Sequence, residues 1–182
     1  MLLVLIAAIT LAEPAQQLIS FHSVFPYTED APTATPVVEP GNVVLPNSVR
    51  GTLVAMLRAS PTFRRQCARI GRTSFLRIVV TRSLAAGRAE GGAVTRITRA
   101  ADGRILAEVQ LSPSGDAVTL LAHEFEHILE QLDGVDLAAM AARSGTGVRR
   151  LPRSPGFETE RAIATGRQVA GEFFGRSGRG QF

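Results

Sequence analysis

The chain has 182 residues, 45% hydrophobic and 20% charged, with a formal net charge of +4. That balance excludes collagen-like and acidic disordered classes, and the length suits one domain with its own core. The only cysteine is Cys67, which excludes an intramolecular disulfide and a cysteine-rich zinc site, so any metal must be held by histidine and carboxylate.

Residues 1–12 are almost wholly apolar. Twelve residues are too few for a spanning helix, which needs about 20. The run matches the h-region of a secretory signal peptide, with Ala12 and Ala15 as small residues for cleavage, although no basic segment precedes it. The expectation is a signal peptide over 1–15, a secreted or periplasmic product and no stable membrane insertion. Residues 16–46 contain Pro26, Pro32, Pro36, Pro40 and Pro46 and read as an extended linker.

A domain is expected over 47–174. Leu53, Met56 and Leu57 recur at helical spacing after a cap at Asn47 or Ser48. Ser60-Pro61 restarts a second short helix through Ile70. Cys67 lies in its arginine-rich stretch as a small semi-buried side chain. Residues 74–82 are β-branched and apolar and predict a strand. Two more strands are expected at 93–99 and 104–111, joined at Asp102-Gly103 by a type I′ hairpin. On the second of these, Ile105, Ala107, Val109 and Leu111 alternate onto one face. Helices follow from about Asp116 to Leu132 and from about Pro155-Gly156 to Phe174, and residues 175–182 read as a flexible tail.

All 20 basic residues are arginines, spread along the chain with pairs at Arg64-Arg65 and Arg149-Arg150. Without a dense basic block or stacking aromatics, the charge reads as solvated surface rather than a nucleic-acid groove.

Residues 123–127, His-Glu-Phe-Glu-His, fit H-E-x-x-H. Positions i and i+4 lie one turn apart on one helix face, so His123 and His127 can share a metal. At about 100° per residue, Leu121, Phe125, Ile128, Leu129 and Leu132 fall on the opposite side. The helix thus has an apolar back and a histidine front. Glu124, about 100° around, reaches a water rather than the metal and can act as general base.

A catalytic zinc needs a third protein ligand. No histidine follows His127, which leaves Glu130, Asp133, Asp136, Glu158, Glu160 and Glu172. Glu130 would have to curl back along its own helix, so an outer role suits it better. On the later helix Glu158 borders the packed face with Ala162, Val169 and Phe173, whereas Glu160 faces water beside Arg167. Glu158 is therefore the expected third ligand.

With HEFEH at 123–127 and FETERA at 157–162, the chain resembles the gluzincins, in particular short bacterial secreted zincin-like proteins, over roughly residues 70–174. That resemblance implies an α+β zincin-like fold: a small mixed sheet with a hairpin, packed on the HExxH helix and a second, glutamate-bearing helix. It implies a zinc metalloendopeptidase, with Zn2+ on His123, His127 and Glu158, Glu124 as catalytic base, and a peptide or protein substrate. It also implies that the strand at 104–111 is the edge strand that pairs with the substrate. Glu126 departs from the family, which keeps the two middle positions uncharged; at about 60° from His123 it would sit near the metal and hold a ligand or pair with an arginine. The family's oxyanion-stabilising His or Tyr is also missing, since Tyr27 is the only tyrosine, which leaves Arg153 or Arg161. A monomer is expected. The rival readings are a non-catalytic zinc-binding secreted protein and a basic surface-binding module.

Overall fold

The computed structural model describes residues 38–83, 92–152 and 155–177. The signal-like segment, Tyr27 and Arg153 lie outside them. The described residues form a mixed α+β fold in the order β1 (Val43–Val44), α1 (Asn47–Ala59), α2 (Pro61–Arg72), β2 (Leu76–Arg82), β3 (Ala93–Arg99), β4 (Ile105–Leu111), α3 (Ala117–Leu132), α4 (Leu137–Ala141), β5 (Val148–Arg150), β6 (Phe157–Thr159) and α5 (Glu160–Ser177). Among the described residues no helix is long and apolar enough to cross a membrane.

The main sheet has the order β1-β2-β4-β3, with β1 and β4 parallel to β2 and β3 antiparallel to β4. The expected edge strand at 104–111 is therefore interior. Pairing explains the difference: β4 is hydrogen-bonded to β2 on one side and to β3 on the other, whereas its alternation, with Ile105, Ala107, Val109 and Leu111 buried, reports only which face packs on the core. Among the described residues, the free edge next to the hairpin belongs to β3. The hairpin is also not the two-residue type I′ turn. Ala100 pairs with Arg104 (N to O, 2.8 Å), and Gly103 N donates to Ala100 O at 3.0 Å. This makes a three-residue loop with Gly103 at φ 83°, where a side chain would be strained.

The linker ends earlier than expected. Asn42 donates through Nδ2 to the carbonyls of Ile70, Thr73 and Leu76, which pins β1 beside β2. Leu45 is buried, so residues 40–46 belong to the fold. Helix α1 starts at Asn47 without a side-chain cap, whereas Ser60 caps α2 by accepting from Phe63 N at 3.0 Å, with Pro61 in the first turn.

Helix α3 contacts β3 and β4 on one side and α5 on another, and it also touches α1 and α2. It starts at Asp116, whose carboxylate accepts from Val118 N at 3.0 Å. It stops at Gly134 (φ 74°), where Val135 N bonds Glu130 O at 3.0 Å and Gly134 N bonds Gln131 O at 3.3 Å, a Schellman end. Leu121, Phe125, Ile128 and Leu129 are buried as the faces predict. The Phe125 ring stacks on Phe63 of α2 with centroids 5.8 Å apart. Phe125→Ala is expected to cost about 3–5 kcal/mol, because a buried aromatic leaves a cavity that close packing cannot refill. Urea unfolding of the full chain checks this.

Candidate metal centre

The site begins with α3, which presents His123 and His127 half-buried on the side away from its apolar back. The third residue comes from elsewhere. The expected second helix starts at Glu160, not near Pro155, because Thr159 caps it, accepting from Ala162 N at 3.0 Å. Glu158 therefore lies on β6, in a two-stranded ribbon with β5, one residue ahead of the cap.

Three ligand-type atoms converge. His123 Nε2 lies 3.1 Å from His127 Nε2 and 3.2 Å from Glu158 Oε1, and His127 Nε2 lies 3.5 Å from that same oxygen. Ligands at 2.0–2.1 Å in a tetrahedron stand about 3.3 Å from one another. The three distances bracket that value, so the donor set fits a tetrahedral cation in chemistry and in spacing. Two imidazole nitrogens and a carboxylate oxygen this close repel unless a proton or a metal lies among them. His123, His127 and Glu158 also form the cluster, among the described residues, that can hold a metal ion.

The charges agree. Burial pushes the His127 imidazolium down, but hydrogen bonds to Glu130 and Glu158 and the nearby Glu124 and Glu130 charges outweigh it, and its pKa is raised to about 10. Burial likewise pushes Glu158 up, but hydrogen bonds from His123 and His127 hold it well below the usual carboxylate range.

The surroundings orient the ligands. His127 donates through Nδ1 to Glu130 Oε2 at 2.9 Å, which turns Nε2 toward the cluster. Glu130 is only 3% exposed and needs a second partner, which Thr159 supplies through Oγ1 at 2.7 Å. Thr159 thus caps α5 and braces the outer carboxylate at once. Glu130→Gln is expected to weaken binding of a divalent cation at this cluster about 10–100-fold, the usual effect of losing an outer partner of a ligating histidine; titration against a competing chelator measures it. Glu124, outside the cluster, is 5% exposed and accepts from Thr95 Oγ1 at 2.5 Å. Gly166 of α5 allows the helices to meet: a Cβ there would lie 3.1 Å from Thr119 O and 3.3 Å from His123 Cβ.

The remaining sequence candidates go elsewhere. Glu126 is not part of the His123, His127 and Glu158 cluster but does pair with an arginine, one of its two expected roles; buried, it accepts from Gln66 Nε2 at 2.7 Å and from Arg161 Nε at 2.6 Å. Arg161 also bonds Asp133 at 2.9 Å, so this oxyanion candidate is already engaged, and Arg69 holds the other Asp133 oxygen. Asp136 caps α4 through Ala139 N. Glu172 accepts from Ser60 and Thr62 at the junction of α1 and α2. Glu160 is exposed as expected. Burial pushes the Cys67 thiol up to about 12, which makes it an inert core residue.

Sequence reasoning missed Thr95, Thr159 and Gln66. Thr95 had a signal: within 93–99, alternation places it on one face with Ala93 and Ile97, a hydroxyl turned toward the core. Thr159 had one as well, standing just ahead of the apolar periodicity as a capping residue does.

The described residues thus define a mixed α+β protein whose long helix and ribbon build a His-His-Glu centre. No protein-family model, curated protein or solved structure matches this chain significantly.

Proposed function

We propose that this chain is a zinc-dependent metalloendopeptidase of zincin-like fold, acting on peptide or protein substrates outside the cytoplasm. The observation that carries the reading is the convergence of His123, His127 and Glu158 at tetrahedral spacing, with Glu124 next in sequence and outside the ligand triangle. Two histidines and a carboxylate are a known catalytic zinc set with room for one more ligand. The same donors also suit ferrous iron; the glutamate that follows the first histidine favours zinc. Export rests on the apolar segment at 1–12.

The cation, when bound, supplies a Lewis acid that polarises the scissile carbonyl and acidifies a water. Glu124 takes the proton of that water and returns it to the leaving amine. Thr95 fixes the carboxylate by donating to Oε2, which leaves Oε1 for the proton. The free edge of β3, which carries Thr95, offers an extended peptide backbone hydrogen bonds beside that carboxylate.

A second reading, a zinc-binding protein without turnover, draws on one observation: Arg161, the described oxyanion candidate, is tied to Glu126 and Asp133. The experiment is elemental analysis of the full chain after reconstitution, with cleavage of a quenched-fluorescent peptide library. The expected result is about one zinc per chain and turnover that a chelator removes and zinc restores. Zinc without turnover supports the second reading; no zinc after reconstitution sinks both.

A further inference from the structure

Strand alternation gives the two arginines of β5 different fates. Arg150 pairs with Phe157 across the ribbon, and its guanidinium lies 5.1 Å from the ring centroid. Arg149 pairs with Glu158. Two residues to either side, Leu151 N bonds Gly156 O at 3.0 Å and Glu160 N bonds Gly147 O at 2.8 Å. By alternation Arg149 and Glu158 are a hydrogen-bonded pair, with Cα atoms about 5.5 Å apart. Directly opposed residues send their side chains to the same face. Glu158 reaches His123 and His127 from that face, so Arg149 rises from it beside the metal centre.

Arg149 is exposed, and among the described residues its guanidinium has no hydrogen bond or ion pair, not even with the Glu158 carboxylate. Other arginines around α3 are committed: Arg161 and Arg69 to carboxylates, Arg99 to the Gln131 carbonyl. The charges gathered at the centre are otherwise carboxylates, Glu124, Glu130 and Glu158. With neutral imidazoles, those three leave the centre anionic even around a divalent cation. An anionic group approaching the centre therefore needs a cation outside the ligand set, and Arg149 is placed to supply it.

We propose that Arg149 anchors a substrate carboxylate beside the metal centre, so that peptides presenting a carboxylate near the scissile bond are the preferred class. This rests on the peptidase reading and names its substrate chemistry. The group is a glutamate or aspartate side chain, or the C-terminal carboxylate of a short peptide. A ground-state anchor suits Arg149 better than an oxyanion donor, since nothing holds its guanidinium in one place and oxyanion stabilisation depends on preorganised donors.

The test is direct binding. Alanine-rich hexapeptides bearing an uncharged fluorophore of the BODIPY type carry one glutamate or one glutamine, each with a free or amidated C-terminus. Their affinities are read by anisotropy against the zinc-loaded full chain bearing Glu124→Gln, which prevents cleavage, and again with Arg149→Met or Arg149→Glu added. The carboxylate peptides are expected to bind roughly tenfold more tightly than the matched neutral peptide, the scale of one charge-assisted contact. That ratio should fall to near one with Arg149→Met and invert with Arg149→Glu, with zinc content unchanged. Dependence on glutamate or on the free C-terminus identifies which carboxylate is held. Equal affinities for all four peptides, no binding of any, or a preference that survives Arg149→Met overturns the proposal. A chain that takes up no zinc is scored in the same way without it, so failure of the zinc reading and failure of the anchor are separate results.

Discussion

Glu124→Gln is expected to keep its zinc and lose about 10²–10⁴-fold in kcat/KM, the usual range for removing a general base. The retained zinc follows from geometry: Glu124 is outside the set formed by His123, His127 and Glu158. The retained fold follows from the local bonding. Glu124 is buried and accepts from Thr95 Oγ1, and the glutamine carbonyl accepts that bond equally well in nearly the same volume. Only the capacity to take a proton is removed. Elemental analysis and peptide cleavage on one preparation read both quantities. Turnover within a few-fold of wild type would remove Glu124 from the chemistry, whatever the metal does.

His123→Ala is expected to remove the metal itself. Zinc sites with four protein ligands are worth about 10–16 kcal/mol, or roughly 3–4 kcal/mol per ligand. Losing one of three ligands here is expected to weaken binding about 10²–10³-fold by that scale. Glu158→Ala is expected to act in the same direction and Glu160→Ala to do nothing, since Glu160 is exposed outside the cluster. Equal zinc content in Glu158→Ala and Glu160→Ala would dismiss Glu158 as a ligand. The pH dependence of wild-type binding has a definite sign. In the metal-free fold His127 keeps its proton up to about pH 10, and zinc requires the neutral imidazole. Binding near pH 7 therefore expels that proton, and apparent affinity is expected to rise about tenfold per pH unit between pH 7 and 8. Competition titrations at fixed ionic strength check this; affinity independent of pH would mean that His127 enters the site already neutral.

Local rules made much of this legible. The H-E-x-x-H spacing needs only helical periodicity, and α3 has its ends and its buried back in the expected places. Glu158 does converge with the two histidines, but from β6 and not from the helix face that the sequence suggests, because two short strands of three residues each carry too little pattern to be seen in sequence. Strand order was also beyond reach. The alternation of 104–111 reveals one buried face, but whether a strand lies inside a sheet or at its edge depends on pairing with β2, which precedes it by a full hairpin arm. Glu126 shows the same limit. Its angle on the helix wheel was right, but wheels do not include neighbours, and Gln66 and Arg161 come from two other helices.

The glycine at 166 acts as a spacer made of missing atoms. Helix α5 can rest on the Thr119 carbonyl and the His123 Cβ only while no side chain stands between them. Glu158 leads directly into α5 through the Thr159 cap, whereas both histidines ride on α3. The gap between the two helices therefore sets the width of the ligand triangle. Ligand distances in zinc sites are held to about 0.2 Å, a tolerance much smaller than one methyl group. A single added carbon at 166 is thus expected to shift Glu158 against both histidines and to change the spacing of the candidate ligands from behind, through a residue outside the His123, His127 and Glu158 cluster.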